Sequence, residues 1–223
     1  MSGELLDLSA RALLTKFGSG GHKPGSGSAA ALLGVMACKL LQTVITLSAN
    51  RDDYKEHQGK LALANENILA EFEPALINAV QEDSVQFDRV ISLRRARDAA
   101  TNETTKRRLR EQALDELKAA TKIPLNIAEL SIRLGQKGLE VFDFGFRAAL
   151  GDSGVAISSA LAAASGSLSI IYLNLTSFKG GEWARETRIK ADALAVEVGK
   201  LHVELFNRLE RLQAEVMARE SQS

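Results

Sequence analysis

Cysteine, proline, histidine and aromatic residues are scarce in this chain, and neither sign of charge prevails. Cys38 is the only cysteine among 223 residues, so no internal disulfide can staple the fold. The three histidines, His22, His57 and His202, stand far apart, and no Cys-x-x-Cys or His-x-x-x-His spacing exists. The sequence therefore implies no metal site. Lys plus Arg and Asp plus Glu both total 28, which removes any global attraction to nucleic acid or an anionic membrane. Met1-Ser2-Gly3-Glu4 carries no basic segment ahead of an apolar core. With the lone cysteine, this makes a cytoplasmic location the expectation. No Pro/Gly-rich stretch interrupts the interior, so residues 1–223 are read as a single domain.

Prolines stand only at 24, 74 and 124, while Ala, Leu, Glu, Arg and Lys fill most other positions. The composition favours helix over strand, and the fold expected is an all-α, single-domain bundle of long antiparallel helices. Leu194, Val198, Leu201, Leu205, Leu209, Leu212 and Val216 recur at spacings of three and four and predict one core-facing amphipathic helix. A second stripe, Leu61 to Phe87, lies in a segment expected to bend or break near Pro74. A third, from about Glu103 to Gln136, is expected to be interrupted similarly at Pro124.

Two further segments differ in kind. Between Pro24 and Asn50 the only charge is Lys39, and between Ser153 and Phe178 there is none. Either is long enough to cross a bilayer, but the second is rich in serine and neither has basic and aromatic anchors at its ends. Small residues recur instead at close-packing intervals: Gly27, Ala31, Gly34 and Cys38 in one, Ala156, Ala160 and Ala164 in the other. These helices are expected to be buried against each other, with a second copy of the chain covering part of their surface as a homodimer.

The chemistry-bearing residues concentrate near the first of these helices. Lys23-Pro24-Gly25-Ser26-Gly27-Ser28 feeds directly into it, leaving unpaired N–H groups at the helix start as a place for an anion. A simple turn set by Pro24 and small residues is the competing reading. His22, in the same loop, can reach a ligand or merely be solvated. Asp83 sits one turn before Phe87, where a partly dry setting can poise a carboxylate as a general base. Asp152, just ahead of the uncharged segment, reads on its own as an N-cap. Arg89, Arg94, Arg95 and Arg97 with Lys106, Arg107, Arg108 and Arg110 form a basic cluster on a helical hairpin, without the interleaved aromatics that stack nucleic-acid bases.

Taken in order, these pieces resemble the cyclodeaminase/cyclohydrolase family. Pro24-Gly25-Ser26-Gly27-Ser28-Ala29-Ala30 resembles its Pro-Gly-Gly-Gly-Ser-x-Ala loop, and Asp83 with Phe87 its Asp-x-x-Ala-Phe element. Ile123-Pro124-Leu125 resembles Val-Pro-Leu, Asp152 to Ala156 resembles Ser-Asp-x-x-Val-Ala, and Leu173-Asn174-Leu175 resembles Ile-Asn-Leu. The similarity runs from about Leu8 to Leu205. It implies a dimer-forming, metal-free enzyme that takes a tetrahydrofolate derivative as substrate and holds no resident cofactor. By the same resemblance Gly25, Ser26, Gly27 and Ser28 bind ligand, Asp83 handles protons, and Asp152 steadies the pterin or the cationic one-carbon unit; Asn174, in the matched Ile-Asn-Leu element, and His22, by its place in the loop and not by the resemblance, are further ligand-binding candidates. Departures are also visible. The family's Leu-Pro-Lys is replaced by Arg94-Arg95-Ala96-Arg97-Asp98, its Asn position falls near Phe146, and its Ser is Gly151. An enzyme for another cyclic imine or amidine, or a non-catalytic binding oligomer on the same fold, are the alternatives these departures leave open.

Overall fold

The computed structural model describes residues 4–221, and no strand occurs among them. The N-terminal reading from Met1 to Gly3 lies outside the described residues. Seven α-helices follow in order: α1 (Ala10–Phe17), α2 (Ser26–Ala49), α3 (Gln58–Asn67), α4 (Glu73–Ala99), α5 (Glu103–Phe144), α6 (Leu150–Leu175) and α7 (Glu182–Glu220). The expected bundle of long helices is present.

The uncharged segments become α2 and α6, which lie side by side and run antiparallel. Ser48 near the end of α2 accepts a 2.8 Å hydrogen bond from Phe146 N just ahead of α6. At the other end Gly166 adjoins Ala30. Ala31, Ala37, Cys38, Ala156, Ala160, Ala163 and Ala164 are fully buried, so the small-residue spacing does mark close packing. Cys38 is inert packing, its thiol pushed up to about 12 mainly by burial. Both helices meet the length and apolarity needed to cross a bilayer, and half of each lies inside the bundle.

Around this pair the core is built from Leu41, Val44, Ile68, Phe72, Leu76, Ile127 and Leu134. Near Pro74 the helix is not broken but changes its winding: the backbone stays helical from α3 through a π-helical turn, Ile68–Phe72, into α4, and Glu73 N donates to Ile68 O five residues back just ahead of the proline. Pro124 behaves otherwise. α5 runs unbroken through it for 42 residues, with the proline buried inside the helix. The α4–α5 turn is set by Asn102, whose side chain accepts from Thr104 N and Thr105 N at 2.8 and 3.2 Å.

The α7 stripe is only partly a core stripe. Leu201 and Leu205 are buried, but Leu209 and Val216 are 44% and 56% exposed, because the distal half of this 39-residue helix extends beyond the apolar surface that α5 and α6 offer. That half keeps Leu212 against the core and is otherwise held by polar contacts, Arg208 and Arg211 to Asp143 and Arg147 to Glu215. Gly199 lies mid-helix with open space around it. Gly199→Ala is expected to stabilise the protein by about 0.5–1 kcal/mol, read as a rise in the midpoint of chemical unfolding.

Candidate functional site

The Gly/Ser loop meets a carboxylate that arrives from a helix 55 residues later. Asp83, on α4 and only 8% exposed, reaches the head of α2, where its Oδ2 accepts from Ser28 N at 2.9 Å and from Ser28 Oγ at 3.3 Å. α2 has Gly25 as N-cap and no side-chain cap of its own, so Asp83 takes that task from another helix. Its other oxygen, Oδ1, accepts no hydrogen bond among the described residues. Oδ1 lies over Gly27: a methyl placed there would stand 2.0 Å from it. Glycine at 27 is thus a condition of the approach, whereas a methyl at Gly25 would meet Oδ2 at an ordinary 3.6 Å.

Two opposed influences act on this carboxyl. Burial pushes the Asp83 pKa up, and the two Ser28 hydrogen bonds pull it partly back, with burial the larger. The net result is a proton-binding group held above the ordinary aspartate range at a helix start.

The loop is clamped to α4 a second time. Asp88 accepts from or pairs with His22 Nε2 through Oδ1 at 2.7 Å, and pairs with Lys23 Nζ through Oδ2 at 2.5 Å. These contacts hold the Asp88 carboxyl below the usual range, the His22 hydrogen bond contributing most. His22 therefore belongs to the loop's anchoring, and its ring is engaged by Asp88. Asp88 carried no motif in the sequence. Its only signal was its place on the face of α4 one turn beyond Ser84, which means nothing until the loop is known to return there.

Asn174 is buried near the end of α6 and donates through Nδ2 to Thr121 Oγ1 at 3.1 Å, while Thr121 Oγ1 donates to Leu117 O. Gln86 reaches Glu116 across the α4–α5 pair, which sets Asp83 and Thr121 at about the same level of the bundle. Asn174 thus belongs to the same end of the molecule as the loop; its partner Thr121 follows Ala120, which packs with Val90, Leu117, Phe87 and Phe178.

Asp152 does not join them within the chain. It is not an N-cap: α6 starts at Leu150 after Ala149, which places Asp152 inside the first turn, where its charge suits the positive end of the helix dipole. Because α2 and α6 are antiparallel, Asp152 lies level with about Val44, some sixteen residues or about 24 Å along the axis from Ser28. Sequence order cannot reveal this, since the direction of packing decides which end of a helix meets the loop. Among the described residues no three His, Cys, Asp or Glu side chains converge to hold a metal.

A family model described as formiminotransferase-cyclodeaminase matches residues 9–193. A methenyltetrahydrofolate cyclohydrolase from Methylorubrum extorquens is 26% identical over 184 residues, covering 82% of this chain and 86% of that protein. The crystal structure of a formiminotetrahydrofolate cyclodeaminase from Thermotoga maritima superposes with a TM-score of 0.79 over 94% of this chain and 99% of that one, at 16% identity. That likeness concerns the fold.

Proposed function

The chain belongs to the formiminotransferase-cyclodeaminase family, and we propose on that footing that it is an enzyme of folate one-carbon chemistry, hydrolysing 5,10-methenyltetrahydrofolate or cyclodeaminating 5-formiminotetrahydrofolate. The observation that carries this reading is the Asp83 carboxyl, seated at the Gly25–Ser28 loop with Oδ1 uncommitted. The Methylorubrum relative favours hydrolysis of the two.

The chemistry asks for what this carboxyl can do. The bridging carbon of a methenyl folate belongs to an amidinium cation. Water adds to it as one of its protons passes to a base; the carbon–nitrogen bond then breaks as the new hydroxyl gives up its proton to solvent and becomes the formyl carbonyl, and the freed nitrogen takes up the proton held by the base. Asp83, its proton affinity raised by burial, serves first as base and then as acid through Oδ1, while Ser28 holds Oδ2 in place. In cyclodeamination the second folate nitrogen attacks the formimino carbon and loses its proton, and the same group delivers a proton to the ammonia that departs as the ring closes. Folate is substrate here, and the scheme calls for no resident metal or cofactor. Gly25, Ser26 and Gly27 form the floor against which the ligand lies, with Asn174 at the same end of the bundle.

We further read the protein as a cytoplasmic homodimer. Gly151, Val155, Ser158, Ala162, Ser165 and Ser169 form an uncharged exposed line along α6, where Leu33 of α2 shares a hollow with Val155, Ser158 and Ala162, and this supports pairing of two copies there. On this reading Asp152 serves a site only through such a pairing, and otherwise supports the start of α6.

Purified protein should accelerate the loss of methenyltetrahydrofolate absorbance over the buffer rate; no acceleration, together with no release of ammonia from formiminotetrahydrofolate, sinks the proposal. Asp88→Asn, which frees His22 and Lys23, is expected to raise KM several-fold with kcat little changed, because it loosens the loop and leaves the proton carrier in place. Steady-state kinetics checks this, and a fall in kcat with KM constant would place Asp88 in the chemistry instead.

A further inference from the structure

A groove of about 1070 Å³ opens where the end of α4, the start of α5 and the end of α6 come together. Arg94, Arg97, Lys106, Arg107 and Arg110 line it, with Glu103 as the one acidic group and the hydroxyl residues Thr104, Thr176 and Ser177 on its walls. Some of this charge is spent locally. Lys106 pairs with Glu103, Arg97 with Asp98, and Arg107 with Glu111. Arg94 and Arg110 have no carboxylate partner among the described residues, though they come from different helices and face one cavity.

Two unneutralised guanidinium groups on one concave surface repel each other, and exposed surface pairs of the kind around them offset little of that. The arrangement is relieved by an anion with several oxygens, which a guanidinium fork grips two at a time. Hydroxyl donors on the α6 side suit the same guest. No aromatic residue lines the groove, so it lacks the stacking surfaces on which nucleic-acid bases rest.

We propose that this groove is a binding site for a small polyanion bearing two or more phosphate or carboxylate groups, gripped chiefly by Arg94 and Arg110. It is separate from the loop site: Arg94 follows Asp83 by eleven residues on α4, about 16 Å along the helix. It also carries Arg94 and Arg97, two of the residues that depart from the family pattern.

Isothermal titration calorimetry at low salt tests it, with tripolyphosphate as the phosphate probe and tricarballylate as the carboxylate probe. Wild type should bind at least one of them at a single site, and the tighter of the two identifies the source of the oxyanions. Arg94→Ala/Arg110→Ala should weaken that binding at least about tenfold, and Arg110→Ala alone about threefold. Arg95→Ala/Arg108→Ala, outside the groove, should change it less than about twofold. Absence of heat with both probes overturns the proposal. So does equal weakening in the two double variants, which would mean a diffuse positive field, or an affinity for single-stranded RNA that exceeds both probes and grows with oligonucleotide length. The measurement needs no turnover, so it stands or falls separately from the folate reading.

Discussion

Asp83→Asn should reduce turnover of methenyltetrahydrofolate by about 10²–10⁴-fold while leaving the protein at least as stable as wild type at neutral pH. The two halves of that result have one origin. Burial raises the proton affinity of the carboxyl above its value in an unfolded chain, so at neutral pH the folded state carries a charge it accommodates poorly. Stability linked to this group is fully present below the unfolded pKa of an aspartate and is lost as pH rises through the higher folded value. Asparagine removes the charge, and its carbonyl oxygen can still accept from Ser28 N and Oγ. The difference in unfolding free energy between variant and wild type should therefore favour asparagine at pH 7 and shrink to nothing below the ordinary aspartate range. Chemical denaturation across that pH range measures it. A variant that is inactive and markedly less stable would mark Asp83 as a cap for α2 and nothing more.

Gly27→Ala should be nearly as damaging to activity by a different route. Its added methyl would lie 2.0 Å from Asp83 Oδ1 and 2.4 Å from Cγ, a separation no pair of such atoms tolerates. The side chain of Asp83 is short and rooted in a helix, so it can yield only by leaving Ser28 or by pushing α4 from α2. Overpacking of this kind costs about 1–3 kcal/mol, and a reacting group displaced by about 1 Å loses about 10²-fold in rate. Gly25→Ala is the control: its methyl would meet Oδ2 at 3.6 Å, and activity should fall far less. Melting curves and initial rates for the pair decide the matter. Equal losses at 25 and 27 would mean that the loop tolerates no side chain anywhere, and that closeness to Asp83 is not the reason.

What the sequence disclosed depended on how local each signal was. The close packing of the two uncharged rods was legible because near-absence of charge over a helix length, with small residues at regular steps, has few other physical explanations, although half of each rod stays outside the bundle. The bend at Gly25–Ser28 was legible for the same reason, being set by neighbours in the chain. That Asp83 closes onto it across 55 residues was reached through the order of family motifs, and no spacing within α4 implied it. Asp152 shows the limit. A carboxylate ahead of an uncharged run looks like a cap, yet the helix begins two residues earlier and packs antiparallel, leaving that carboxylate at the far end. Asp88 was silent because its partners, His22 and Lys23, are fixed by loop geometry. The outer half of α7 gave a correct period and a wrong expectation, since periodicity tells which face is apolar and not whether anything lies against it.

The claim on which all of this rests is that the free oxygen of one buried carboxylate, at the head of α2, meets the reacting carbon of the substrate. A crystal structure with a non-hydrolysable methenyl- or formyl-folate analogue examines that directly. The one-carbon atom is expected at the Gly25–Ser28 loop, within one water molecule of Asp83 Oδ1, with Ser28 still bonded to Oδ2. An analogue bound elsewhere, with Asp83 closed against Gly27 and untouched, would contradict it.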